Sequence, residues 1–353
     1  MNFPLFCLNG RHGRARTVAT AALVLLASAP ATAEVLRTDV RPSCVNTTTV
    51  RVTCADIDLI GRQMLESVAL PYQRDDFNAL DTALALWRDG GRQFADGSWE
   101  LALFLPGLEE GLTTVTQDTA KLAAWRRAKP DSAAAQLAEA WVWYVHARRV
   151  KGRDPHAAIP AEAQSIARER LARASAVLAR LRKTLDDSPV WHEMKIALLV
   201  EQGALPAARR VFDDAVKRFP RYHPLYLRMS RAYTGAAFDQ FAHEAARLTE
   251  KFEGQGQYAR LYLAVDSPMQ MPFDPRLPMP AWDSLRAAYD DLMQRYPASV
   301  RIATSYASVA CRSHDSELYR RMRAKADAYL VAAAFNVVPL EICDRRHGWG
   351  TAR

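Results

Sequence analysis

The stretch from Leu185 to Tyr226 constrains the fold most, because its proline and glycine punctuation leaves room for little except two short helices folded against each other. Asp186-Asp187-Ser188-Pro189 offers capping side chains and then a proline near the first helical position, where its missing N–H costs little. A helix over 190–202 follows. Trp191, Met194 and Leu198 fall at i, i+3 and i+7, and Ile196, Leu199 and Val200 widen the apolar surface until the helix has to be covered on two sides. Gly203-Ala204 permits a turn and Pro206 opens a second helix over 206–219, with Ala208, Val211, Phe212, Ala215, Val216 and Phe219 on one face. The other face carries Arg209, Arg210, Asp213, Asp214, Lys217 and Arg218, with Asp213–Lys217 and Asp214–Arg218 spaced for ion pairs on a solvated flank. Pro220 stops that helix, and Tyr222, Leu225, Tyr226 and Met229 begin another. Two helices of this size do not bury so much apolar surface between themselves, so neighbours must stack on them.

The same punctuation continues along the chain. Candidate helices cover 55–69, 74–90, 118–128, 132–150, 161–185, 190–202, 206–219, 223–233, 237–253, 257–265, 282–296, 299–311 and 315–334. Two connections stand out, a polar loop over 151–160 and a proline- and methionine-rich excursion from Ser267 to Pro280. The step of 31 residues from Pro189 to Pro220 is close to the roughly 34 of a tetratricopeptide-type hairpin. The expected fold is all-α, a degenerate tetratricopeptide-like α/α superhelix of stacked helical hairpins over 55–334, with a small disulfide-bonded N-terminal segment over 34–54 and a tail over 335–353.

Residues 1–33 read as an export signal: Arg11, Arg14 and Arg16, an apolar run from Val18 to Leu26, and Ala31-Thr32-Ala33 as a small-x-small cleavage site. The run is shorter than the roughly 18 residues a membrane span needs. The expected location is the periplasm or the exterior, and no later stretch suits a transmembrane segment. Of 47 basic and 39 acidic side chains, the signal holds three arginines and no acid, which leaves the mature chain at +5. So small an excess on an exported chain points away from nucleic acid.

Cys44, Cys54, Cys311 and Cys343 remain after cleavage, and an even count in an exported chain suggests disulfides. The local pairings Cys44–Cys54 and Cys311–Cys343 are favoured, against a buried free thiol as the alternative for Cys311. Between the first two, Val45 to Thr53 is β-branched and alternates at Val50 and Val52, as a small hairpin would.

Phe94-Ala95-Asp96-Gly97-Ser98-Trp99, Trp125 with Pro130-Asp131-Ser132-Ala133, Tyr144 with Ala147-Arg148, Phe219-Pro220 with Tyr222 and Tyr226, Tyr258-Ala259-Arg260 with Tyr262, and Ala310-Cys311 with Asp315 follow one another in a telling order. In that order, over roughly 70–330, the chain resembles the bacterial domain-of-unknown-function family numbered 4034. The resemblance implies a tetratricopeptide-like helical fold and no assigned activity. Thr234-Gly235-Ala236 and Thr304 depart from the family's pattern of a Trp-Gly-Gly-like turn and an asparagine, and a ligand held in common at those positions would be lost here.

Motifs for chemistry are missing. His192-Glu193 and His243-Glu244 begin like a zinc-protease helix, but Ile196 and Arg247 stand where the second histidine belongs. There is no Gly-x-Ser-x-Gly elbow, no phosphate-binding Gly-x4-Gly-Lys loop and no Gly-x-Gly-x-x-Gly. No metal or cofactor is expected. The acid pairs Asp75-Asp76, Asp186-Asp187 and Asp290-Asp291 suit caps or solvated faces. Trp99, Trp125, Trp141, Trp143, Trp191 and Trp282 suit packing between helices, although Trp141, Tyr144 and Arg148 share a stripe that could face a groove.

The function expected is non-enzymatic, a helical groove lined by Tyr226, Arg228, Tyr258, Arg260 and Tyr262 that holds a peptide or protein partner. The alternative is an envelope enzyme acting on carbohydrate, with Glu193, Glu244 or Asp266 as its acids. Mass spectrometry of the exported chain should find Glu34 as the first residue; an intact leader would contradict the cleavage reading.

Overall fold

Prolines open helices, and a left-handed glycine closes one, where the sequence marks them. Pro189 sits in the first turn of one helix and Pro206 in that of the next, and between them Gly203 has φ +73°, a conformation costly for any residue with a Cβ. The computed structural model describes residues 43–45, 51–53, 57–152, 158–266 and 280–350, all within the unit Val40–Arg353.

Two short strands, β1 (Ser43–Val45) and β2 (Arg51–Thr53), pair antiparallel with Cys44 opposite Val52. The small hairpin is present; Cys54, and with it the Cys44–Cys54 pairing, lies outside the described residues. The rest is helical. In chain order come α1 (Ile57–Gln73), α2 (Phe77–Gly90), α3 (Phe104–Gly111), α4 (Val115–Ala128), α5 (Ala133–Lys151), α6 (Ala161–Leu185) and α7 (Pro189–Glu201). They are followed by α8 (Leu205–Arg218), α9 (His223–Ser230), α10 (Gly235–Glu253), α11 (Gly256–Asp266), α12 (Trp282–Arg295), α13 (Val300–Arg312), α14 (Ser316–Ala326) and α15 (Leu340–Arg346). Among the described residues no helix is long and apolar enough to cross a membrane.

Two helices go beyond the sequence reading. Helix α3 forms despite Pro106 and Gly107, because Gly107 and Gly111 let it lie against Val68 and Tyr72 of α1 without a side chain between the backbones. Helix α15 lies within what reads as a tail. The expected helix over 315–334 is α14 followed by two short 3-10 turns. The Ser267–Pro280 excursion lies outside the described residues except for Pro280, as do 153–157 of the polar loop.

Packing follows the chain. Helices α5 and α6, α7 and α8, α10 and α11, and α13 and α14 lie against each other, and α7 also touches α5, α6 and α9. Val190, Trp191, His192, Glu193, Met194, Ile196, Ala197 and Leu198 of α7 are consequently all buried. Helix α8 buries only Ala208, Phe212, Ala215 and Val216, the stripe expected of an amphipathic helix at a surface. Its charges pair differently from the i, i+4 expectation. Arg209 takes Asp213 at 2.8 Å and also Glu244 of α10, Arg218 reaches back to Asp187 at 2.6 Å, and Lys217 is left with Asp214 at 3.7 Å. Arginines at a helix end or flank find acids on the adjoining turn or helix, which local spacing does not reveal.

The acid pairs behave as caps and braces. Asp76 accepts from the Ala79 N–H at 3.1 Å at the start of α2, Asp75 pairs with Lys121, and Asp291 accepts from the Gln255 N–H at 2.6 Å. The tryptophans pack between helices: Trp125 stacks on Phe77 at 5.3 Å, and Trp191 donates to the Leu178 carbonyl at 3.0 Å.

Cys311 of α13 is joined to Cys343 of α15, so the second expected disulfide is present and fastens the C-terminal helix to the bundle. Because the bond closes a loop of 32 residues, replacing both cysteines by alanine should lower unfolding free energy by about 4 kcal/mol in the chain-entropy picture. Urea denaturation reads this directly, and an unmoved midpoint would contradict it.

Candidate functional site

Polar groups buried between helices gather in three places, and each is built by residues far apart in the chain. The first is organised by the turn between α2 and α3. There the Phe94 N–H bonds the Ser98 carbonyl at 2.8 Å, the Gly97 N–H bonds the Phe94 carbonyl at 2.9 Å, and Ser98 donates twice to Asp96, at 3.0 and 2.5 Å. Gly97 has φ +81° and lies directly on the Tyr296 ring, so a side chain there would be both strained and obstructed. Asp96 is thereby carried into a buried site facing Arg260 of α11 at 3.9 Å and Arg301 of α13 at 3.7 Å. Arg260 also binds the Asp96 carbonyl and Glu253, the latter at 3.1 Å, while His223 stands 3.6 Å from Glu253. Arg221 reaches Gln93 at 2.9 Å.

Burial alone would raise the Glu253 carboxyl, but Arg260 and then His223 bring it down to about 2. Asp96 is likewise lowered, burial being outweighed by Arg260 and Arg301. His223 is lowered by burial and by Arg260, with Glu253 opposing. The site is an ionised clamp with a neutral imidazole at its edge.

The second site lies on α5, α7 and α9. Glu193 accepts from Arg228 at 2.8 and 3.0 Å and from the Tyr222 hydroxyl at 2.9 Å. Arg228 rests over the Trp141 ring at 5.2 Å, Trp141 stacks on Tyr144 at 4.9 Å, and Arg148 lies over Tyr144 at 5.7 Å. Trp99 meets Tyr222 edge-on at 5.7 Å, which brings the α2–α3 turn against this site too.

The third sits under α1, α4 and α5. Asp118 accepts from Tyr72 at 3.3 Å, from the Thr113 N–H at 3.1 Å and from His146 at 2.7 Å. Burial would raise Asp118, but His146 and the Thr113 N–H lower it, so it stays a carboxylate and His146 donates to it through Nε2. Both residues are sealed from solvent, at 0% and 3% exposure, which suits a structural brace.

Of the five residues expected to line a groove, two belong to these sites and three bond elsewhere in the interior. Tyr226 donates to the Pro220 carbonyl at 2.9 Å, Arg228 belongs to the second site and Arg260 to the first. Tyr258 and Tyr262 lie 4.9 Å apart and both donate to Asp239, at 2.9 and 2.7 Å. Four of the five are buried, Arg260 keeps 11% of its side chain exposed, and the polar end of each is bound within the protein. A partner held by these side chains would have to displace those bonds. Of the acids considered for hydrolysis, Glu193 is in the fork of Arg228, Glu244 is in the fork of Arg209, and the Asp266 side chain lies outside what is described. Among the described residues no group of three or more His, Cys, Asp or Glu is arranged to hold a metal.

The chain matches no protein-family model, no curated protein and no solved structure.

A folded-state preference for the deprotonated forms of Glu253, Asp96 and His223 makes the unfolded chain the better proton acceptor. Stability should therefore be full above the ordinary histidine value of 6.5, fall through His223 below it, and fall further through Glu253 between 4.5 and about 2. Glu253→Gln, which leaves Arg260 half-paired, should cost about 3–5 kcal/mol at neutral pH and flatten the acid limb. Thermal melts from pH 8 to 3 report both effects, and an acid limb unchanged in the variant would refute the assignment.

Proposed function

We propose that the protein is an exported, non-enzymatic scaffold, a tetratricopeptide-like superhelix of stacked hairpins that holds a peptide or protein partner. The observation that carries this reading is the row α5, α7, α9 and α11, in which each helix packs on the next and also on the helix that follows it in the chain, α6, α8, α10 or α12. Stacked hairpins that pack in this way are the means by which repeat proteins generate a concave recognition surface. The family resemblance, which implies the same fold and no assigned activity, agrees with it.

The state of the acids also favours holding over hydrolysis. A glycosidase needs one carboxyl kept protonated to serve the leaving group. Here Glu193 and Glu244 each face an arginine, and Asp96 and Glu253 are held ionised by Arg260. None of the four is positioned as a free acid.

Affinity capture with the mature chain from an envelope extract, followed by mass spectrometry, tests the proposal. Recovery of a discrete protein or peptide is expected; recovery of only sugars or trimmed glycans would favour the carbohydrate-active alternative.

A further inference from the structure

The second site contains more positive charge than its acids neutralise. Arg228 has Glu193, but Arg148 and Arg231, both half-buried, make no ion pair with any described carboxylate. The Nε of Arg231 is sealed from solvent and bonds nothing, and in the same cluster Trp141 Nε1 is a second sealed donor with no acceptor. The Tyr144 hydroxyl, on the ring shared by Trp141 and Arg148, likewise bonds no described residue. Glu109 is close enough to act on the charges of Arg228 and Arg231, yet lies beyond ion-pair distance of both. An uncompensated guanidinium in such a place is costly, and proteins rarely keep one without a partner.

We propose that Arg231 and Arg148, with the Tyr144 hydroxyl beside them and Arg228 behind, form a binding site for a single oxyanion group, a carboxylate, sulfate or phosphate. A guanidinium presents paired N–H donors that match two oxygens of such a group, and two guanidinium groups supply enough donors for all of them. Trp141 lies under Arg228 and Tyr144 under Arg148, so the Trp141–Tyr144 stack gives the site an aromatic floor. The state of Arg231 agrees: burial, then the like charges of Arg228 and Arg148, push it down to about 10, and an anion would reverse that. Helix α5 contributes Trp141, Tyr144 and Arg148 at helical spacing, α9 contributes Arg228 with Arg231 as its C-cap, and the seat of Arg228 over the Trp141 ring joins the two sets. The site is independent of whether a macromolecular partner is held.

Titration calorimetry on the mature chain in chloride buffer, with sodium sulfate, inorganic phosphate and acetate as separate probes at matched ionic strength, tests this. Saturable one-to-one binding of at least one probe is expected, and the probe preferred tells a tetrahedral dianion from a carboxylate. Arg231→Met and Arg148→Met should each weaken that binding at least about tenfold, the worth of one charge-assisted hydrogen bond. In chloride alone Arg231→Met should melt no lower than the unaltered protein, because it removes an unpaired buried charge, and the stabilisation by the anion should vanish with it. Absence of saturable binding by all three probes overturns the proposal. So does unchanged binding by Arg231→Met, or a lowered melting temperature in chloride, which would mark Arg231 as a structural residue.

Discussion

Helix α7 is buried over most of its circumference, with only Lys195, Leu199, Val200 and Glu201 partly exposed, and much of the structure follows from the need to cover it. Its buried residues run most of the way round, so it is stable only with α5, α6, α8 and α9 against it. A fully apolar helix would meet this requirement simply, but α7 also carries His192 and Glu193 into the interior. Burying that carboxylate demands a donor, and α9 supplies Arg228 and Tyr222. Hydrophobic stacking thus determines which helices touch, and the buried charge determines how they are aligned. The same logic singles out Arg231 and Arg148, cations that no described carboxylate pairs.

The α2–α3 turn does similar work over a longer distance. It ties the N-terminal helices to α11 and α13 through Asp96, Arg260 and Arg301, and to α12 through Gly97 on Tyr296. Strong, directional ion pairs in a dry environment are exacting about position, so this turn and the Cys311–Cys343 bond together fix parts of the chain that sequential stacking alone would leave free.

Much of the helical order is legible in the sequence, since proline, glycine and capping residues act locally. Asp76, Thr114, Ser132, Ser299 and Asp315 cap the helices they precede, and α6 spans the expected 161–185. Helices α3 and α15 were hidden because both are short and derive their stability from packing, α3 against α1 through its glycines and α15 through a disulfide to α13. Ion partners were equally hidden, since Arg228 and Glu193 are 35 positions apart and Arg260 and Asp96 are 164 apart. A groove lined by Tyr258, Arg260 and Tyr262 together needs one face for all three. At about 100° per residue the tyrosines four apart share a face and the arginine between them points away, which is how they lie. The Trp141, Tyr144 and Arg148 stripe is legible by that rule, whereas the seat of Arg228 over Trp141 needs the fold.

The central physical claim is that the hairpin α7–α8 derives its stability from the helices packed on it. Far-ultraviolet circular dichroism of an isolated peptide covering 185–226, compared with the intact protein, measures this most directly. The peptide is expected to show little helix and no cooperative melt, because nothing covers the second side of α7. A peptide as helical as the corresponding part of the intact protein, with a cooperative transition of its own, would contradict the claim.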